Sequence, residues 1–193
     1  MLTSELQYDL PPDRIAQSPS ERRDQSRLLV FERKSGKIAH HLFHELPDLL
    51  PPQLSILRND VSVLKARLSG ERPTGGKVEC LLLRPADPPD TTWRCLLKPG
   101  GKTAKTGTFG LANEYSAKVI ESLISGEYLV KFDLPKDSDP PALAQRLGTL
   151  PLPPYVRRPT DKADEERYQT VYANSENRSA VAAPTAGLHF TPE

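Results

Sequence analysis

Short apolar runs recur at near-regular spacing between residues 54 and 133, each closed by a Gly or Pro turn. This pattern restricts the fold more tightly than any other feature, because runs of that length between breakers read as strands. The candidate strands are 54–58, 61–68, 77–84, 91–98, 115–124 and 127–133, with turns such as Pro73-Thr74-Gly75-Gly76 and Pro99-Gly100-Gly101 between them. Six strands so spaced predict a small antiparallel barrel or sandwich. Residues 61–68 mix polar and apolar positions on both faces, so the register of that strand stays open. Proline makes up 20 of 193 residues, about twice its usual share, and long ordered loops with little helix are expected.

The flanks read differently. Residues 1–26 are polar, broken by Pro11, Pro12 and Pro19, and should run extended across a surface. A hairpin follows, with residues 27–32 and 37–43 around Lys34-Ser35-Gly36, and residues 43–50 suit one or two short helical turns. Past residue 133 the β pattern ends. Asp139 is placed to cap a helix with Pro140 and Pro141 in its first turn and Gly148 as its stop. Residues 150–159 form a rigid, proline-rich extended segment. Residues 161–172 read as a second helix, with acidic residues near its positive end and Tyr168, Val171 and Tyr172 on one face. The tail, from Ser179 to Phe190, reads as a small-residue strand over 180–183 that breaks at Pro184 into a tight turn carrying Thr185, Gly187 and His189.

A net charge of +1 excludes a generally basic nucleic-acid binder but not a local basic face. Arg94, Lys98, Lys102 and Lys105 form a run without acidic residues, the best candidate for a phosphate-facing edge, beside the plainer reading of a solvated loop. Cys80 and Cys95 lack CxxC spacing and read as buried free thiols suited to a reducing cytoplasm. No signal peptide and no apolar run of membrane-spanning length is seen, so a cytoplasmic protein away from membranes is expected. His40, His41 and His44 lie close together, yet they alternate faces of a strand without a thiol or carboxylate to complete a metal set. Gly75-Gly76-Lys77 lacks the length and hydroxyl of a phosphate loop and reads as a β-turn. Only the tail turn gathers small residues, a hydroxyl and an imidazole capable of proton chemistry.

Three segments then carry a resemblance. They are Leu150-Pro151-Leu152-Pro153-Pro154-Tyr155-Val156-Arg157-Arg158, Tyr168-Gln169-Thr170-Val171-Tyr172-Ala173 and Ala180-Val181-Ala182-Ala183-Pro184-Thr185-Ala186-Gly187-Leu188-His189-Phe190. Together they closely resemble the S-adenosylmethionine:tRNA ribosyltransferase-isomerase family of the queuosine pathway. Tyr8-Asp9-Leu10-Pro11, Ile15-Ala16-Gln17, Ser26-Arg27-Leu28-Leu29-Val30, Ala66-Arg67-Leu68 and Gly75-Gly76-Lys77-Val78-Glu79 agree in the same order.

The resemblance implies an α+β protein: an α/β catalytic body, incomplete here, interrupted by a small antiparallel β-barrel. The body would comprise residues 1–68 and 136–193, and the insert residues 69–135. The family transfers and isomerises the ribosyl part of S-adenosylmethionine onto an aminomethyl-deazaguanine of tRNA, giving epoxyqueuosine and releasing adenine and methionine. S-adenosylmethionine is then a consumed ribosyl donor, no metal is expected, and the partner is a tRNA carrying the deazaguanine precursor. The full-length protein would be a monomer. A proton beside the sulfonium must be removed, departing adenine protonated, and a splayed anticodon base admitted. His189 is the candidate acid or base, with Thr185 and Asp60 beside it in the catalytic set. Tyr155, Arg157, Arg158, Pro184, Gly187, Asn59 and Arg67 are the candidate substrate-binding residues, and Lys98, Lys102 and Lys105 the RNA-facing ones. Residues 53–68 keep the family's Asn59, Asp60 and Arg67, but Val61-Ser62 stands where the family has a Thr-Arg pair. The family pattern also continues well over a hundred residues past the tail motif, so activity is expected only with that further portion. The alternative is a truncated, catalytically inactive relative retaining at most RNA binding.

Overall fold

The computed structural model describes residues 2–86, 91–136, 138–176 and 180–193; Ser179, first residue of the tail stretch, lies outside them. After 3₁₀ turns at Thr3–Leu6, Pro12–Arg14 and Arg23–Gln25, strands β1 (Arg27–Phe31) and β2 (Ile38–Leu42) form the expected hairpin. Arg27 pairs with Leu42 and Phe31 with Ile38. A 3₁₀ turn at Phe43–Glu45 and the single turn α1 (Leu46–Leu49) follow.

The barrel is closed and antiparallel. Its strands are β3 (Arg67–Glu71), β4 (Lys77–Pro85), β5 (Thr92–Lys98), β6 (Thr108–Leu111), β7 (Tyr115–Ser122) and β8 (Tyr128–Asp133), in the order β3-β4-β5-β8-β7-β6. Alternation sends Val78, Cys80 and Leu82 of β4, Trp93, Cys95 and Leu97 of β5, and Val130 and Phe132 of β8 inward. At the β3–β6 seam, where Glu71 pairs with Gly110, a Cβ on Gly70 would come within 2.9 Å of the Gly110 carbonyl oxygen. Both thiols are free and buried, as their spacing implied, and burial pushes the Cys95 thiol well above its usual range.

Six strands were expected, and the barrel has six, but two differ. Residues 54–60 are exposed and pair with no strand among the described residues. Pro51-Pro52 and a left-handed Gln53 (φ 65°) carry them away from the sheet, so Leu54, Ile56 and Leu57 stay on the surface. Residues 61–66 lie outside the barrel strands, with Val61 bridging Asn174 and Val63 bridging Ala180, both parallel. The missing pair is supplied by β3 and β6. Pro99-Gly100-Gly101 does not merely turn. It opens helix α2 (Gly100–Thr106), which packs on β5, β6 and β7 and buries Thr103, whose hydroxyl donates to the Pro99 carbonyl at 2.6 Å.

Helix α3 (Pro140–Leu147) starts as predicted, with the Asp139 carboxylate accepting from the Ala142 amide at 2.7 Å. Leu143 and Ala144 of α3 enter the same apolar core as the barrel. Helix α4 (Lys162–Arg167) is shorter than the expected 161–172. It begins with a reciprocal cap between Asp161 and Asp164, and Gln169 leaves it to serve another purpose. The Gln169 carboxamide accepts from the Val63 amide and donates to the Val63 carbonyl, each at 2.8 Å, so one side chain substitutes for a neighbouring strand. The expected strand 180–183 reduces to the Ala180 bridge, and the tail turn is a 3₁₀ turn, Thr185–His189. Val63, Leu150, Tyr168 and Ala183 make a second small core beneath it. No helix among the described residues is long and apolar enough to cross a membrane.

Candidate functional site

A cleft of about 530 Å³ opens between the N-terminal segment, the proline-rich segment, α4 and the tail turn. Thr185 and His189 of the tail line it together with Tyr155 and Arg158, more than 25 residues earlier in the chain. Its volume is that of a small-molecule site. A wider, shallower depression of about 730 Å³ lies on the barrel near Glu71, Gly110 and Tyr115, and none of the residues expected to bind or react lines it.

The cleft is held by side chains that grip backbone. The Arg23 guanidinium donates to the carbonyls of Glu166 (2.9 Å) and Arg167 (3.2 Å) at the end of α4, and to that of Leu188 (3.1 Å) in the tail turn. Arg167 reaches back to the Ser20 and Glu21 carbonyls, both at 2.7 Å. Burial, then the neighbouring Arg167 charge, lowers the pKa of Arg23. Gln17 donates to the Tyr155 carbonyl at 3.1 Å and accepts from the Arg157 amide at 2.7 Å, which fixes the loop that presents Tyr155. None of these clamping contacts is marked in the local sequence, although Gln17 stands in one of the segments that match the family.

Arg158 is placed at the cleft but is already occupied. Its two terminal nitrogens bind the Asp164 carboxylate at 2.7 Å each, and its Nε donates to the Gln17 carbonyl at 2.9 Å. That fork holds the Asp164 carboxyl below the usual carboxylate range, and the same bond raises the Arg158 pKa. His189 packs its ring against Phe43 with centroids 5.3 Å apart. Phe43 also meets Phe190 at 5.1 Å, and its amide donates to the Ser26 carbonyl at 2.9 Å. Gly187 is buried behind the turn, where a Cβ would overlap the Tyr172 hydroxyl. Pro184 precedes the turn, and its carbonyl accepts from the Gly187 amide at 2.7 Å. Burial pushes the Tyr168 phenol up.

The other expected residues lie elsewhere. Asp60 and Asn59 sit on the exposed extended segment, where the Asp60 carbonyl accepts from Asn174 and the Asn59 side chain from the Val61 amide. Arg67 is on β3, its Nε 3.8 Å from Glu79 and buried with no hydrogen-bond partner among the described residues. Arg157 is exposed beside a smaller depression shared with Pro12 and Ile15. Lys98, Lys102 and Lys105 are exposed at the end of β5 and on α2. Arg94 departs from that basic run, because folding brings Glu127 to within 3.3 Å of it. The His cluster does attract a carboxylate: His41 lies 3.4 Å from Glu45, whose pKa is lowered chiefly by the Leu42 amide. Among the described residues no three His, Cys, Asp or Glu side chains converge as a metal requires.

A family model described as queuosine biosynthesis protein matches residues 3–193. The chain belongs to that family. Among curated relatives, the S-adenosylmethionine:tRNA ribosyltransferase-isomerases of Pelobacter propionicus, Acetivibrio thermocellus and Thermotoga maritima are 42%, 43% and 41% identical to it. Each alignment covers all of this chain and 55%, 55% and 54% of the relative. The chain therefore spans about half the length of the queuosine biosynthesis proteins it matches. A crystal structure of the S-adenosylmethionine tRNA ribosyltransferase of Thermotoga maritima is 34% identical, covering 65% of this chain and 43% of its own, with a TM-score of 0.32.

Proposed function

We propose that this chain forms the S-adenosylmethionine-binding part of a tRNA ribosyltransferase-isomerase of queuosine biosynthesis, acting in the cytoplasm. One observation carries the reading: the cleft joins Thr185 and His189 of the tail to Tyr155 of the proline-rich segment, two of the stretches that carry the family resemblance. In this reading residues 1–68 and 136–193 are body and residues 69–135 an inserted barrel. The complete protein is a monomer that takes S-adenosylmethionine and a precursor tRNA. The ribosyl group moves to the aminomethyl nitrogen of the deazaguanine, and adenine and methionine leave.

His189 exchanges the proton that this chemistry moves, at the sulfonium-side carbon or at departing adenine, and Thr185 offers its hydroxyl to the ribosyl group. Tyr155, half exposed at the rim, gives a flat face on which a base can stack. Arg158 acts by holding Asp164 and the Gln17 loop in place. Gly187 and Pro184 shape the turn. Lys98, Lys102 and Lys105 add a phosphate-facing edge, while Asp60, Asn59, Arg67 and Arg157 meet substrate only from outside the cleft seen here.

Adenine release from S-adenosylmethionine in the presence of precursor tRNA tests the reading. Joined to the C-terminal portion that its relatives possess, the chain is expected to release adenine, and the 193 residues alone are expected to release none. Turnover by the 193 residues alone, or a folded joined chain that binds tRNA yet never releases adenine, contradicts it.

A further inference from the structure

Four arginines line the cleft: Arg23, Arg27, Arg158 and Arg167. Three are committed. Arg23 and Arg167 bind backbone carbonyls, and Arg158 binds Asp164. Arg27 differs. Among the described residues its guanidinium has no hydrogen-bond or ion-pair partner, and it is exposed on the cleft wall. The acidic residue lining the same cleft, Asp164, is fully engaged by Arg158 and by the Asp161 amide and so does not neutralise it.

Its mounting is rigid. Arg27 is the first residue of β1 and pairs with Leu42. The residue before it, Ser26, accepts the Phe43 amide at 2.9 Å, and the Phe43 ring packs on His189. One short chain of contacts therefore fixes the position of Arg27 relative to the imidazole. A free guanidinium whose backbone is fixed on a strand is suited to two-point recognition of a planar anion, and a carboxylate matches its fork.

We infer that Arg27 binds the carboxylate of the amino-acid end of S-adenosylmethionine. This rests on the reading of the cleft given above and adds the residue that orients the ligand within it. The cleft favours this anion over an RNA phosphate because it has the volume of a small-molecule site. With the carboxylate tethered at Arg27, the sulfonium and ribosyl carbons are directed along the cleft toward His189 and Thr185.

The test uses the 193-residue chain and two stable probes, S-adenosylhomocysteine, which carries the amino-acid end, and methylthioadenosine, which lacks it. In calorimetric titrations Arg27→Gln is expected to weaken S-adenosylhomocysteine about tenfold or more and to leave methylthioadenosine affinity unchanged. Arg27→Lys, which keeps the charge and loses the fork, should fall between. Equal losses for both probes, or no loss for either, overturn the inference while the cleft reading survives. A loss confined to tRNA affinity also overturns it and makes Arg27 a phosphate contact. Failure of the unmutated chain to bind either probe removes the cleft reading and the inference with it.

Discussion

At the scale of single residues, the Arg158–Asp164 pair shows how charge is used around the cleft. The side chain of Asp164 is 7% exposed and meets both terminal nitrogens of Arg158, so it stays ionised to lower pH than a free aspartate. An unfolded aspartate takes up its proton near about pH 4. Because the folded value is lower, the stabilisation is fully present above about pH 5 and is lost as the pH falls toward and through the folded value. Asp164→Asn should accordingly lower the melting temperature at pH 7, and its difference from the unmutated protein should shrink below about pH 4. A difference independent of pH would show that the charge contributes nothing. Thr185, His189 and Tyr155, which line the cleft, were legible as candidates because they stand in dense motifs of small residues or prolines. Arg23, Arg167 and Gln17 were not, since each binds backbone carbonyls or amides roughly 140 residues or more away, and a carbonyl leaves no trace in residue identity.

At the scale of elements, the hairpin, α3 and most barrel strands follow from alternation, caps and turns that lie within a few residues of one another. Helix α2 was hidden because Gly100 and Gly101 are poor helix formers, and packing of Thr103 under the barrel overrides that preference. Residues 54–58 have the apolar content of a strand but pair with no strand among the described residues. Gln169→Ala removes both bonds to Val63 and should cost about 1–3 kcal/mol in denaturant unfolding, against near-neutrality if the amide were solvated. Gly148 looks like an ordinary helix stop, yet a Cβ there would overlap the Lys65 carbonyl oxygen and backbone. Gly148→Ala should therefore destabilise by roughly 1–3 kcal/mol, and a neutral result would mean that α3 and residue 65 separate easily. For the basic edge, changing Lys98, Lys102 and Lys105 to Ala should lower the slope of log affinity for tRNA against log salt by up to about 3; an unchanged slope removes the edge from the interface.

At the scale of the whole molecule, the barrel closes on itself, while the described residues outside it are lightly joined by a two-stranded hairpin, isolated bridges, side-chain clamps and a small core. The curated relatives are nearly twice as long. In the proposed function the tail turn presents His189 to S-adenosylmethionine in the cleft. Its most direct test is single-turnover adenine release by the chain joined to a relative's C-terminal portion, with and without His189→Ala, at matched folding and S-adenosylmethionine binding. Release at least about tenfold slower is expected for the variant. Release at the unmutated rate would contradict it and leave His189 as a packing partner of Phe43.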